Sequence, residues 1–256
     1  MTQVQLNRKF DPSIYNSLSS VEEANNAVMA GDRIQDFLTD ASELFFTHGM
    51  EERLGIGLLH RHFQCDDVEH MVEYQVNVDG EEALVTKPVS ITDLEPAVPT
   101  IWSNSSTGFQ PLEYSTDPLA VRLFWENEIP EDFLTKFSSL KTSSPIGEHL
   151  GLAIVHREFY KHAPADAMPL EYSSPSDRSS IVLIRDRAIW NEAIVTAWGF
   201  RRSIDPVLKC VDIQECLKRC HPATDNKHTI THRPGPPEHL ISGGLGKSSA
   251  DFRDGN

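Results

Sequence analysis

What this sequence lacks narrows it first. No run of about 18 apolar residues occurs anywhere in its 256 residues, so no transmembrane helix is expected. Basic residues are scarce: 23 Lys and Arg stand against 38 Asp and Glu, a net charge of -15. Bulk electrostatics therefore argue against a nucleic-acid or anionic-membrane partner, and Arg201-Arg202 is the candidate local basic patch. Cysteines number four, and the first ten residues show no apolar secretion-signal core. The cysteines therefore read as thiols or metal ligands rather than disulfides, and an intracellular location is expected. No Gly-x-Ser-x-Gly elbow, dinucleotide fingerprint or Cys-x-x-Cys pair is present. Ser242 to Ser249 contains Gly-Lys-Ser but not the spacing of a phosphate loop, so no nucleotide cofactor is expected.

What is present is a repeat. Leu54 to Phe63 reads Leu-Gly-Ile-Gly-Leu-Leu-His-Arg-His-Phe, and Leu150 to Phe159, 96 positions on, reads Leu-Gly-Leu-Ala-Ile-Val-His-Arg-Glu-Phe. Asp36 to Thr39 matches Asp132 to Thr135 at the same offset, as do Trp102 and Trp198. Val72-Glu73-Tyr74 matches Leu170-Glu171-Tyr172 at offset 98. One register kept across helix-like and strand-like stretches predicts an α+β fold. Its halves would be internally duplicated, each a helix plus antiparallel strands, sharing one core. The divisions expected are an N-terminal arm and helix (1–32), a first repeat (33–103) and a connector (104–118). A second repeat (119–199), a C-terminal helix with a Cys/His segment (200–232) and a disordered tail (233–256) follow.

Within the halves, Ser20 with Glu23 predicts a helix start, and a second helix is expected over 33–47 with Gly49 as its stop. Strands are expected at about 53–63, 70–78 and 82–86, the last two joined by an Asp79-Gly80 turn. Val121 to Trp125 is read as a strand, 130–140 as a helix, 180–185 and 193–198 as strands, and Pro206 to Cys220 as a helix. Gly55, Gly57, Gly151 and Ala153 share strand faces with little side chain, which predicts a helix or backbone packed closely there.

Two groups of residues carry chemistry. His60 and His62 are two apart, about 6.5–7 Å along a strand, and would share a face. With His156 and Glu158 of the second copy they would form a mixed nitrogen and oxygen shell suited to a divalent metal such as Zn or Fe. Glu73 and Glu171, on the following strands, are the candidate catalytic acid/base residues. The bland alternative is a set of hydrogen-bonded strand ends braced by Arg61 and Arg157. The second group is Cys216 and Cys220, one helical turn apart, followed by His228 and His232, the composition of a structural zinc site. Cys65 is a weak candidate nucleophile, since Asp66-Asp67 disfavour its thiolate.

Two functions follow as expectations. One is a metal-dependent enzyme acting on a small molecule at the seam between the halves. The other is a non-catalytic intracellular structural or interaction protein whose only metal is a zinc in the Cys/His segment. Oligomeric state is not legible in the sequence.

Overall fold

The computed structural model describes residues 9–31, 33–78, 80–90, 92, 97–105, 108–125, 128–155, 167–174, 176–186, 193–205 and 209–221. Among them are five α-helices: α1 Pro12–Asn16, α2 Val21–Val28, α3 Arg33–His48, α4 Pro118–Trp125 and α5 Glu131–Ser143. The ten strands are β1 Leu54–Leu58, β2 Glu69–Val78, β3 Glu81–Ser90, β4 Val98–Ser105, β5 Gly108–Ser115, β6 Leu150–Ile154, β7 Ala167–Ser174, β8 Ser179–Asp186, β9 Ile194–Asp205 and β10 Lys209–His221. The fold is thus mixed α and β.

Local chemistry explains most boundaries. Asp11 caps α1 through the Ser13 amide, with Pro12 at the first position, where its missing N–H costs nothing. Ser20 and Glu23 close a capping box on α2. Gly49 ends α3 with φ of 65°, a conformation that glycine adopts without strain. Gly80, at φ 88°, turns β2 into β3, with Val78 paired to Glu81.

The strands form one sheet that closes on itself, in the order β1-β6-β4-β5-β2-β3-β8-β7-β10-β9, with β9 returning to β1. Exchanging β1–β5 with β6–β10 gives the same ring read backwards. The registers follow the same rule. Ile56 pairs with Leu152 between β1 and β6, and Val85 with Ile181 between β3 and β8, each pair 96 positions apart. Ile56 also meets Trp198, while Leu152 meets Trp102.

This close pairing explains the small residues. A Cβ at Gly55 would fall inside 3.0 Å of the Trp198 carbonyl oxygen and touch Val155. A Cβ at Gly151 would fall inside 3.0 Å of the Trp102 carbonyl and the Leu59 side chain. What packs against both glycines is therefore the backbone of the adjacent strand.

The even-numbered face of β1 and β6 is covered by helices. Leu54, Ile56, Leu58, Leu150, Leu152 and Ile154 join Phe37, Phe45, Phe133 and Phe137 from α3 and α5 in the main core. Phe45 sits edge-on to Phe133 at 5.1 Å. A second cluster joins Phe10 and Tyr15 of the N-terminal segment to Leu59, Phe63, Met71, Val72, Leu112 and Tyr114.

Four sequence expectations are corrected here. Val121 to Trp125 belongs to α4: Ala120 and Phe124, four apart, bury one helical face, and Asp117 accepts from the Ala120 amide at its start. The connector 104–118 is mostly strand, because Phe109, Leu112 and Tyr114 are buried in β5 and Pro111 sits beside a register shift, while Pro118 opens α4. The first strand ends at Leu58 rather than Phe63. The helix expected over Pro206 to Cys220 is replaced over its described part: Lys209–His221 is a strand paired with β9 and β7, so sheet pairing outweighs local propensity.

Candidate metal centre

The chain leaves β1 at Leu58 and turns, so His60 and His62 are not alternate residues of one strand. The turn itself brings them together. His60 donates from Nδ1 to the Leu58 carbonyl, 2.8 Å away. A carbonyl can only accept, so neutral His60 presents a bare Nε2. That nitrogen lies 3.1 Å from His62 Nε2, which lies 3.4 Å from Glu171 Oε1. His62 Nδ1 meets Ser173 Oγ at 2.8 Å, and Ser180 donates to Glu171 Oε1 at 2.7 Å.

One ligand atom from each of His60, His62 and Glu171 lies within 4.8 Å of the others, so this group can hold a metal ion. Two ligands about 2.0–2.1 Å from a tetrahedral ion are about 3.3 Å apart, close to the His60–His62 and His62–Glu171 separations. The outer nitrogens are already engaged by Leu58 and Ser173, the arrangement that fixes tautomer and ring orientation in a metal-ligating histidine. The group is sealed, with the His62 and Glu171 side chains 5% and 3% exposed.

Two clamps set the loop that carries the histidines. Asn16 grips the Cys65 main chain at both ends, its Nδ2 donating to the carbonyl and its Oδ1 accepting from the amide, each at 2.8 Å. Arg178, at φ 48° in the turn before β8, donates to both Glu69 carboxylate oxygens and to the Gln64 carbonyl. This ties the histidine loop to the β7–β8 hairpin that supplies Glu171.

The predicted residues have different fates. Glu171, expected as an acid or base, joins the two histidines. Glu73 lines the adjoining cavity instead. His156, Glu158, Arg157, His228 and His232 lie outside the described residues. Cys216 and Cys220 lie on β10, where four residues span about 13 Å, so the one-turn proximity argued for them is absent. Arg61 braces the fold by donating to the Asn16 carbonyl. Cys65 is buried, and burial, then the Glu69 charge, pushes its thiol up to about 12, which rules against a thiolate nucleophile.

A cavity of about 90 Å³ borders the group at His60. Nine of the ten strands contribute to its wall, so it is the lumen of the barrel. Besides apolar side chains it meets Glu73, Glu113, Thr100 and Tyr15. Nothing in the local pattern singles out Tyr15, Glu113, Ser173 or Ser180. They carry no motif, and only closure of the barrel gathers them. No known family model matches this chain, and no curated protein or solved structure shows significant similarity to it. No helix among the described residues is long and apolar enough to cross a membrane.

Proposed function

We propose that the protein is a metal-dependent enzyme that acts on a small molecule inside the barrel, and that its two halves are copies of one unit with the site at their seam. His60 and His62 come from the first half and Glu171 from the second. The observation that carries the reading is the convergence of two nitrogens and a carboxylate beside a cavity, with the His60–His62 and His62–Glu171 separations near a tetrahedral edge. A nitrogen and oxygen set of this kind suits Zn or Fe, and three protein ligands keep one position for water or substrate. Glu73, on the cavity wall, is the candidate general base.

A second reading rests on the sealing of the group. His62 and Glu171 are buried and hydrogen-bonded with Ser173 and Ser180, which also suits a purely structural polar cluster.

Elemental analysis and zinc titration of the purified protein decide between them, with His60→Ala/His62→Ala beside Cys216→Ala/Cys220→Ala. Stoichiometric metal lost only in the histidine variant is the expected result. Metal retained without both histidines, or no metal taken up by the wild type, removes the enzyme reading in this form.

A further inference from the structure

The cavity wall contains a buried hydroxyl for which no described residue is a hydrogen-bond partner of normal geometry. Tyr15 is fully buried, lines the cavity, and its Oη makes no hydrogen bond of normal geometry to any described residue, although the His62 main chain lies close by. Glu113 lines the same cavity. Tyr15 does not sit there loosely. Its short helix is held by the Asp11 cap, by the Asn16 grip on Cys65 and by the Arg61 bond to the Asn16 carbonyl. A buried phenol without a partner is costly, and one held so firmly in a cavity wall is placed for a guest.

The lining decides the chemistry of that guest. Tyr15 Oη can donate, so a guest that meets it must bring an acceptor, which an ammonium ion lacks, although such an ion could still donate to the Glu73 carboxylate on the same wall. Among the described residues no Lys or Arg lines the cavity, while Glu73 and Glu113 do, so the lining side chains disfavour a carboxylate or phosphate. The rest of the wall is largely apolar, from Gly57, Leu84, Leu112 and Val182 among others. The volume leaves room for about half a dozen waters, or for a compact molecule of roughly five or six non-hydrogen atoms.

We propose that the barrel cavity binds a small, uncharged, mostly apolar molecule through a carbonyl-type oxygen that accepts the Tyr15 hydroxyl proton in a hydrogen bond. Tyr15 is then the group that orients the guest beside His60. The proposal rests on the enzyme reading only in treating this guest as the substrate, so metal binding and cavity binding are measured separately.

The test uses the full chain, metal-free and zinc-loaded, with three probes of nearly one shape: cyclopentanone, methylenecyclopentane and cyclopentylammonium. Affinities come from NMR titrations and zinc stoichiometry from calorimetry on the same preparations. In wild type the ketone binds saturably and more tightly than the ammonium. Tyr15→Phe weakens the ketone about three- to tenfold and leaves the hydrocarbon unchanged, the contrast that a single hydrogen bond produces. Gly57→Val, which fills the cavity wall from another side, abolishes binding of both neutral probes whether or not Tyr15→Phe folds well. Three results overturn the proposal: no saturable ketone binding, equal losses of ketone and hydrocarbon in Tyr15→Phe, or tighter binding of the ammonium. Ketone binding without zinc binding would remove the metal reading alone, and zinc binding without ketone binding would remove this one alone.

Discussion

Gly55→Ala and Gly151→Ala test the closed barrel directly. Each added methyl group would lie inside 3.0 Å of a carbonyl oxygen on the adjacent strand, Trp198 or Trp102, and ordinary contact begins near 3.4 Å. The strands must therefore part by at least a few tenths of an ångström at the point where β1 and β6 each meet two neighbours. Overpacking of this kind costs about 1–3 kcal/mol. The lower entropy of the unfolded alanine chain returns about 0.4–1 kcal/mol, leaving a net loss of about 1–2 kcal/mol for each variant. For a chain of this size the loss is worth a fall in Tm of roughly 2–8 °C. Gly57→Ala is the internal control, because its Cβ would meet only the Ala153 Cβ at 3.6 Å. That variant should match wild type or gain slightly. Scanning calorimetry of all three proteins gives the answer. If Gly55→Ala and Gly151→Ala are as stable as Gly57→Ala, the β1–β9 and β6–β4 contacts are not as close as described and the closure argument fails.

Glu171→Gln keeps the shape of the metal group but removes its negative charge; zinc affinity should fall at least tenfold, read by calorimetry, with Tm in the absence of metal changed by only a few degrees. Lys141 is 5% exposed, and burial lowers its ammonium to about 8. The unfolded chain holds that proton up to about 10.5 and the folded chain only to about 8, so its penalty is complete below pH 8 and disappears as the pH rises toward 10.5. Lys141→Met should therefore be more stable than wild type by about 2–3 kcal/mol at pH 7 in urea titrations, with the gap closing at high pH. Asn16→Ala strips both partners from the Cys65 main chain and should cost about 2 kcal/mol, with faster proteolysis near residue 20 as a second readout. Cys65 should resist iodoacetamide in the native protein at pH 8 and react once urea unfolds it, since burial holds its thiol at about 12.

Much of the fold could be read from short-range pattern. Ser20 and Glu23 announce a helix start, Gly49 a helix stop and Asp79-Gly80 a hairpin, because each depends on a few neighbouring residues and on backbone sterics. The bare faces of Gly55 and Gly151 announced a close approach but not its partner. The errors fall where distant pairing outweighs local preference. Residues 209–221 have the spacing of a helix with two cysteines on one face, yet they lie along β9. Residues 104–118 carry prolines that suggest a connector, yet Phe109 to Tyr114 complete the barrel wall.

The same division holds for the site. The sequence by itself showed that His60 and His62 lie two apart just after an apolar strand, and that Glu171 lies beyond the similar stretch Leu150 to Phe159. It could not determine that these three meet. His62 and Glu171 are 109 positions apart, and their separation of 3.4 Å depends on where the sheet closes and on the Asn16 and Arg178 clamps that set the loop. Tyr15 shows this most plainly. Nothing near it in sequence has chemistry to offer, and its hydroxyl gains a role only because nine strands enclose the space it faces. Backbone geometry and hydrophobic period act over a few residues and are written locally. A cavity is the product of closure, and closure is decided by the whole ring of pairings at once.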